Sequence, residues 1–192
     1  MSIWDRVCKI FSKGESDDDE EVRVKRLEDL KEGWMFNYNT DSWIVQQILN
    51  CTLGDNEYLE FQASSGEDGS ILHVEYRHEE FIRVYRNVIA EEFHSGIRQL
   101  LKEEKPPKVI KQNGLEYLLN AVGSGSQLSK SEFTEEGDVE EGNEEKCFLF
   151  WEYITKDEED YVRFEQWDDN DFTCCVGIFE QPQAFEVLGD TK

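Results

Sequence analysis

In the stretch FLFWEYITKDEEDYVRFEQW, Phe148 to Trp167, carboxylates are interleaved with aromatic rings. Two acids in apolar surroundings can do general acid–base work, because burial pushes their proton affinities apart. Most of these acids fall in the turn KDEED, where solvent takes them, but Glu152 and Glu165 do not. On a strand from Phe148, alternation puts Glu152 on the face of Phe148, Phe150 and Ile154, so a carboxyl sits among apolar neighbours. Arg163, across the hairpin, is the expected partner for its charge. Tyr161, Arg163, Glu165 and Trp167 share the facing strand, a mixed aromatic and charged surface suited to stacking a cation or a partner peptide. A structural ion pair on an ordinary sheet explains the same residues and is the simpler account.

HVEYRH supplies His73, Glu75 and His78, and alternation places His73 and Glu75 on one side of a strand. Imidazole and carboxylate are both ligands for zinc or a similar ion, but no fourth ligand is in view. A solvated or hydrogen-bonded strand end is therefore expected, and no metal. The acidic runs SDDDEE, EEGDVEEGNEE and DDND lack the twelve-residue loop with alternating oxygen ligands that calcium needs. Cysteines 8, 51, 147, 174 and 175 are odd in number and contain no C-x-x-C pair, so neither a disulfide framework nor a zinc site is indicated. The neighbours Cys174 and Cys175 read as one small buried residue on each face of a strand. No nucleophile motif and no Gly-rich phosphate loop is present, so no catalytic residue and no cofactor is expected.

A formal charge of -24 over 192 residues argues against nucleic acid, whose phosphates would meet repulsion. An aromatic share of 12% keeps the chain on the folded side of so acidic a composition. With no apolar run long enough to span a bilayer and no signal-peptide core, the expected compartment is the cytoplasm.

The elements that position these residues follow from periodicity. Residues 1–14 carry Ile3, Trp4, Val7 and Phe11 at helical spacing with Arg6, Lys9 and Lys13 nearby, an amphipathic helix able to touch a membrane or a partner. Residues 15–26 form an acidic linker. From 27 to 88 the period is two: Trp34, Phe36 and Tyr38, then Trp43, Val45 and Gln47 across the turn NTDS, then a hairpin from NEYLEFQAS to ILHVEYR. Residues 89–107 read as one connecting helix, with Ile89, Phe93, Ile97, Leu100 and Leu101 on a face and Pro106 and Pro107 ending it.

Residues 108–192 then repeat the first unit in outline. KQNGLEYLLNAVG parallels NYNTDSWIVQQIL, and the opening stretch parallels EYLEFQASSGEDGSILHVEY, with Glu165 in the place of Glu75. The fold class expected is mainly β with one or two helices: two similar antiparallel units, each of a size for a small SH3-like barrel, joined by a helix.

LEDLKEGWMFNYNTDSWIV resembles the opening of a bacterial family known only as a domain of unknown function, with WEYITKDEEDYVRFEQW and CVGIFEQPQAFEVL similar to its second half. The resemblance spans about Leu27 to Leu188. It implies genes that neighbour phage-shock-type membrane-stress proteins and polyamine-synthesis enzymes, and it carries over no catalytic residue. The expectation is a non-enzymatic protein-interaction or adaptor module associated with membrane stress, with a protein partner and peripheral contact to the inner membrane face through residues 1–14. The alternative is a small-molecule or cation-binding protein, or an enzyme, with a carboxylate-lined pocket between the two β units.

Overall fold

Two asparagines start the architecture. Asn39 and Asn113 both take positive φ, the latter followed by Gly114 at +85°, which is the chemistry of tight hairpin turns. They join β1 (Trp34–Tyr38) to β2 (Asp41–Leu53), and β6 (Val109–Gln112) to β7 (Leu115–Ser129). The computed structural model describes residues 25–66, 69–78, 81–129 and 145–190. The amphipathic segment 1–14 and most of the acidic linker lie outside the described residues.

Further hairpins complete each unit: β3 (Asn56–Ser65), β4 (Ile71–His78) and β5 (Phe81–Val88) in the first, and β8 (Lys146–Thr155), β9 (Asp160–Gln166) and β10 (Phe172–Glu180) in the second. A last strand, β11 (Phe185–Asp190), returns to pair with β1. The fold is mainly β, as expected, and its strands join one antiparallel sheet ordered β11-β1-β2-β3-β4-β5-β10-β9-β8-β7-β6. One more ladder, β2 with β7, closes eight of them (β2-β3-β4-β5-β10-β9-β8-β7) into a barrel. Neither unit forms an SH3-like barrel of its own: each is half of a shared one, because β5 pairs with β10 and β2 with β7.

The repeat is visible in the register. Each of β2 and β7 carries a bulge, at Gln46 and Asn120, and Thr52 faces Ser126 across the closing ladder with its hydroxyl 3.0 Å away. The turn asparagines, the bulges and this hydroxyl pair share one offset, 74 residues. Thr52 and Ser126 therefore sit where a two-fold axis relating the halves would pass.

The single helix expected over 89–104 is two short ones, α1 (Ala90–Phe93) and α2 (Ile97–Lys102). Gly96, at φ +76°, takes a left-handed conformation that stops the first and opens the second. The Glu91 carboxylate accepts the amides of Gly96 and Arg98 at 2.7 and 3.2 Å, capping α2 from outside. Ala90, Ile97 and Leu101 pack against Tyr117, Trp151, Tyr153, Val162 and Phe164 on the outer face of β7–β9. The other half is covered differently: β1, β11 and a 3-10 turn at Leu27–Asp29 bury Leu27, Leu30, Phe36 and Trp43 against Phe61, Val74 and Val84.

Alternation leaves the opposite side of every barrel strand for the interior. Side chains fill that interior, and glycine makes room for the largest. At Gly177 a Cβ would collide with the Val84 carbonyl and with Tyr85, so the Tyr161 ring can lie across β10 only because that strand has no side chain there. Gly125 does the same for Phe148.

Candidate functional site

The interior holds most of the buried charge of the described residues. Glu60 on β3, His73 and Glu75 on β4, Arg83 on β5, Glu152 on β8, and Arg163 and Glu165 on β9 all point inward and are buried. Their bonds cross the lumen. Arg83 donates to both Glu152 oxygens, at 2.6 and 3.1 Å, from a strand three places away around the sheet. Arg163 donates through Nη1 to Glu75 at 3.0 Å and through Nε to Glu165 at 2.7 Å. Contacts between strands that are not neighbours can be made only through the inside of a closed barrel.

Each carboxylate is matched. Glu75, wholly buried, also accepts two bonds from Arg77, whose guanidinium lies over the Phe81 ring with its centre 4.2 Å away. Glu60 meets His73 Nδ1 at 3.0 Å and Gln62 Nε2 at 3.0 Å, and the His73 ring stacks on Tyr85. Asn120, the bulge residue of β7, reaches Glu152 at 3.1 Å, an instance of a bulge re-aiming a side chain. Aromatic rings of Phe81, Tyr161 and Phe179 surround Arg83 at 4.6–4.8 Å.

The proton affinities follow from these partners. Burial alone would raise the Glu152 carboxyl, but Arg83's charge and hydrogen bonds outweigh it and hold the group below its ordinary range. Glu60 is likewise lowered: its burial is outweighed by the hydrogen bond and charge of His73. Glu165 goes the other way. Burial raises it, the nearby Glu60 charge adds to the rise, and Arg163 only partly opposes. Burial also pushes the thiols of Cys51, Cys174 and Cys175 well up, which removes the thiolate that redox or nucleophilic chemistry needs.

Four of the five residues singled out on the opening stretch thus come together: Glu152, Tyr161, Arg163 and Glu165 line the closed interior, not an open sheet face. Trp167 stands apart at the strand end, packed on Phe148 with ring centres 4.5 Å apart. The partner expected for Glu152 is corrected. Arg163 is its cross-strand neighbour, but its donors go to Glu165 and Glu75, and Arg83 from the first unit takes Glu152. Cys174 and Cys175 are each buried on their own side of β10, Cys174 with the helices and Cys175 in the lumen. His73 and Glu75 share the interior but serve separate partners, while His78 is exposed beside the Phe81 ring. Among the described residues, no three His, Cys, Asp or Glu side chains converge to hold a metal ion.

Glu60 and Arg83 were missed from sequence. Each is a charged residue in the middle of an apolar strand, in EYLEFQ and FIRVY, the same signal that marked Glu152.

An open cleft lies beside this closed core. It measures about 590 Å3 and runs across the β2–β7 seam, lined by Asn50, Thr52, Glu57, Tyr58, Leu59, Tyr76 and Arg77 from the first unit and Ser126, Leu128 and Glu145 from the second. No described helix is long and apolar enough to cross a membrane.

A family described as a domain of unknown function (DUF4178) matches residues 31–182, which takes in β2–β10 and most of the interior network. An uncharacterised protein of Aquifex aeolicus is 23% identical over 188 residues, covering 97% of each chain. No solved structure matches.

Proposed function

We propose a function from the barrel itself, since this chain belongs to DUF4178, a family defined as a domain of unknown function: it is a non-enzymatic protein-interaction module, an adaptor. One observation carries this reading. Every carboxylate with the surroundings for acid–base work is matched to a guanidinium or imidazole inside a closed barrel, whereas the cleft across the β2–β7 seam is open. A guanidinium cannot serve as a base, and a carboxylate held by two or three donors is a poor one. The cleft combines Leu59, Leu128 and Tyr58 with Arg77, Glu57 and Glu145, the mixture of apolar centre and charged rim that protein partners use. Residues 1–14 contact a membrane surface or the same partner, through Ile3, Trp4, Val7 and Phe11. A role in membrane stress at the inner membrane face belongs to this reading.

Photo-crosslinking in the native host tests it. A photoreactive residue at Leu59 or Leu128 gives one adduct of defined mass, and one at exposed Val122 on the far side does not. Equal labelling at all three positions, or none, contradicts the cleft assignment. Liposome flotation with and without residues 1–14 tests the membrane half; equal recovery in the soluble fraction removes it.

A second reading has its own support. Glu57 and Glu145 at one cleft, on a chain of charge -24, favour a small organic cation. Calorimetric titration with a linear diamine decides it: saturable binding lost in Glu57→Gln supports the cation reading, and no heat of binding ends it.

A further inference from the structure

The outer layer of the first unit has an opening of its own. A groove of about 370 Å3 lies between the 3-10 turn and β11, lined by Leu27, Tyr76, Ile82, Phe185 and Val187, with Lys25 at its edge. Its floor is the outer apolar cluster, against which Phe185 and Val187 are only partly buried. Two acids stand beside it. Glu28 accepts the Tyr76 hydroxyl at 3.1 Å, and Glu180 accepts the hydroxyl of Tyr38, whose ring stacks on Phe185 at 5.0 Å. Lys25 directs its ammonium away, onto the Leu188 carbonyl at 3.4 Å and the Trp34 ring at 4.8 Å. The result is an apolar groove with an acidic border.

One segment of this chain has the complementary chemistry. Ile3, Trp4, Val7 and Phe11 form an apolar stripe flanked by Arg6, Lys9 and Lys13. It is tethered at the groove, because Lys25, the first described residue, lines it. The residues from Phe11 to Lys25 extend to on the order of 45 Å, far more than a return to the groove requires, and so short a tether supplies a millimolar effective concentration.

We propose that this groove is the resting seat of residues 1–14, so that the segment is either docked on β11 or engaged with a membrane, and not both. The proposal rests on the reading of residues 1–14 as a contact segment, and it adds regulation to that reading: an apolar stripe that would otherwise stay in water is parked on the body until a surface competes for it.

Amide hydrogen exchange on the full chain tests it, comparing the natural sequence with the double variant Trp4→Ser, Phe11→Ser. Docking that is ~90% populated slows exchange about tenfold at the outward amides of Phe185–Leu188, and the variant loses that protection. Amides of β9 at Val162–Phe164 report that the barrel is intact, and they stay unchanged. Vesicles of equal phosphatidylglycerol and phosphatidylcholine speed exchange at β11 in the natural sequence to the variant's rate. Equal exchange at β11 in the two proteins overturns the proposal, as does protection that rises with protein concentration, which assigns the groove to a second copy. Flotation without any change at β11 overturns the competition while leaving membrane contact standing. Loss of flotation with the tenfold protection retained overturns membrane contact and leaves the docking.

Discussion

The two halves of the barrel follow one strand plan and carry different charges. The first places Glu60, His73, Glu75, Arg77 and Arg83 inward; the second places Glu152, Arg163 and Glu165. Neither half is wired only to itself. Arg83 of the first serves Glu152 of the second, and Arg163 of the second serves Glu75 of the first. A lone half would leave charges without these partners in an apolar setting, at a cost of several kcal/mol per ion. The difference between the halves is therefore what joins them: the repeat supplies the strands, and the divergence of the inward residues makes the halves depend on each other.

The largest effect is expected where that dependence is deepest. Arg163→Met strands both Glu75 and Glu165 in the lumen and destabilises by roughly 3–5 kcal/mol, read as a drop in the urea midpoint. Arg77→Met, at the better-solvated rim of the same cluster, costs only about 1 kcal/mol. Equal losses from the two would mean that the interior is wetter than the buried network implies.

Gly177→Ala tests the space in the second half. An added methyl meets the Val84 carbonyl and Tyr85 where β10 passes β5, and overpacking of this kind costs about 1–3 kcal/mol. The same change at Gly66, where a Cβ meets nothing within 4 Å, leaves the midpoint within about 0.5 kcal/mol of the natural protein.

The halves also respond oppositely to pH. Glu60 is lowered, as is Glu152, so their stabilisation is complete above the unfolded glutamate value of about 4.3 and is lost as pH falls through their lower folded values. Glu165 is raised, so its contribution is favourable below about 4.3 and is lost as pH rises through its folded value. Urea midpoints from acid to neutral pH should show Glu165→Gln gaining on the natural protein across that rise and then holding level. A constant difference at every pH would contradict the raised carboxyl.

Much of this was legible in the sequence. The period of two, the Asn turns and the repeat located the hairpins, because alternation is set by the pleat and turns by the residues that tolerate positive φ. Glu152 was found because a charge amid Phe148, Phe150 and Ile154 breaks the pattern. Its partner was not, since Arg83 is 69 residues away and reaches it only through a closure that no local period encodes. The ladder between β2 and β7 is of the same kind. The break at Gly96 was masked by apolar spacing that runs through Ile97 and Leu101, although Ser95 and Gly96 together are poor helix formers.

A small effect checks burial directly. In the Cys8→Ser variant, a thiol reagent under native conditions should label exposed Cys147 and spare Cys51, Cys174 and Cys175. Labelling of Cys175 would show that the lumen opens.

The exchange of charges between halves is tested most directly by a double-mutant cycle on Arg83 and Glu152, using Arg83→Met, Glu152→Leu and both together. A pair bonded across the lumen predicts single losses that overlap, with a coupling of about 2 kcal/mol or more. Losses that add to within about 0.5 kcal/mol would contradict it and separate the two halves.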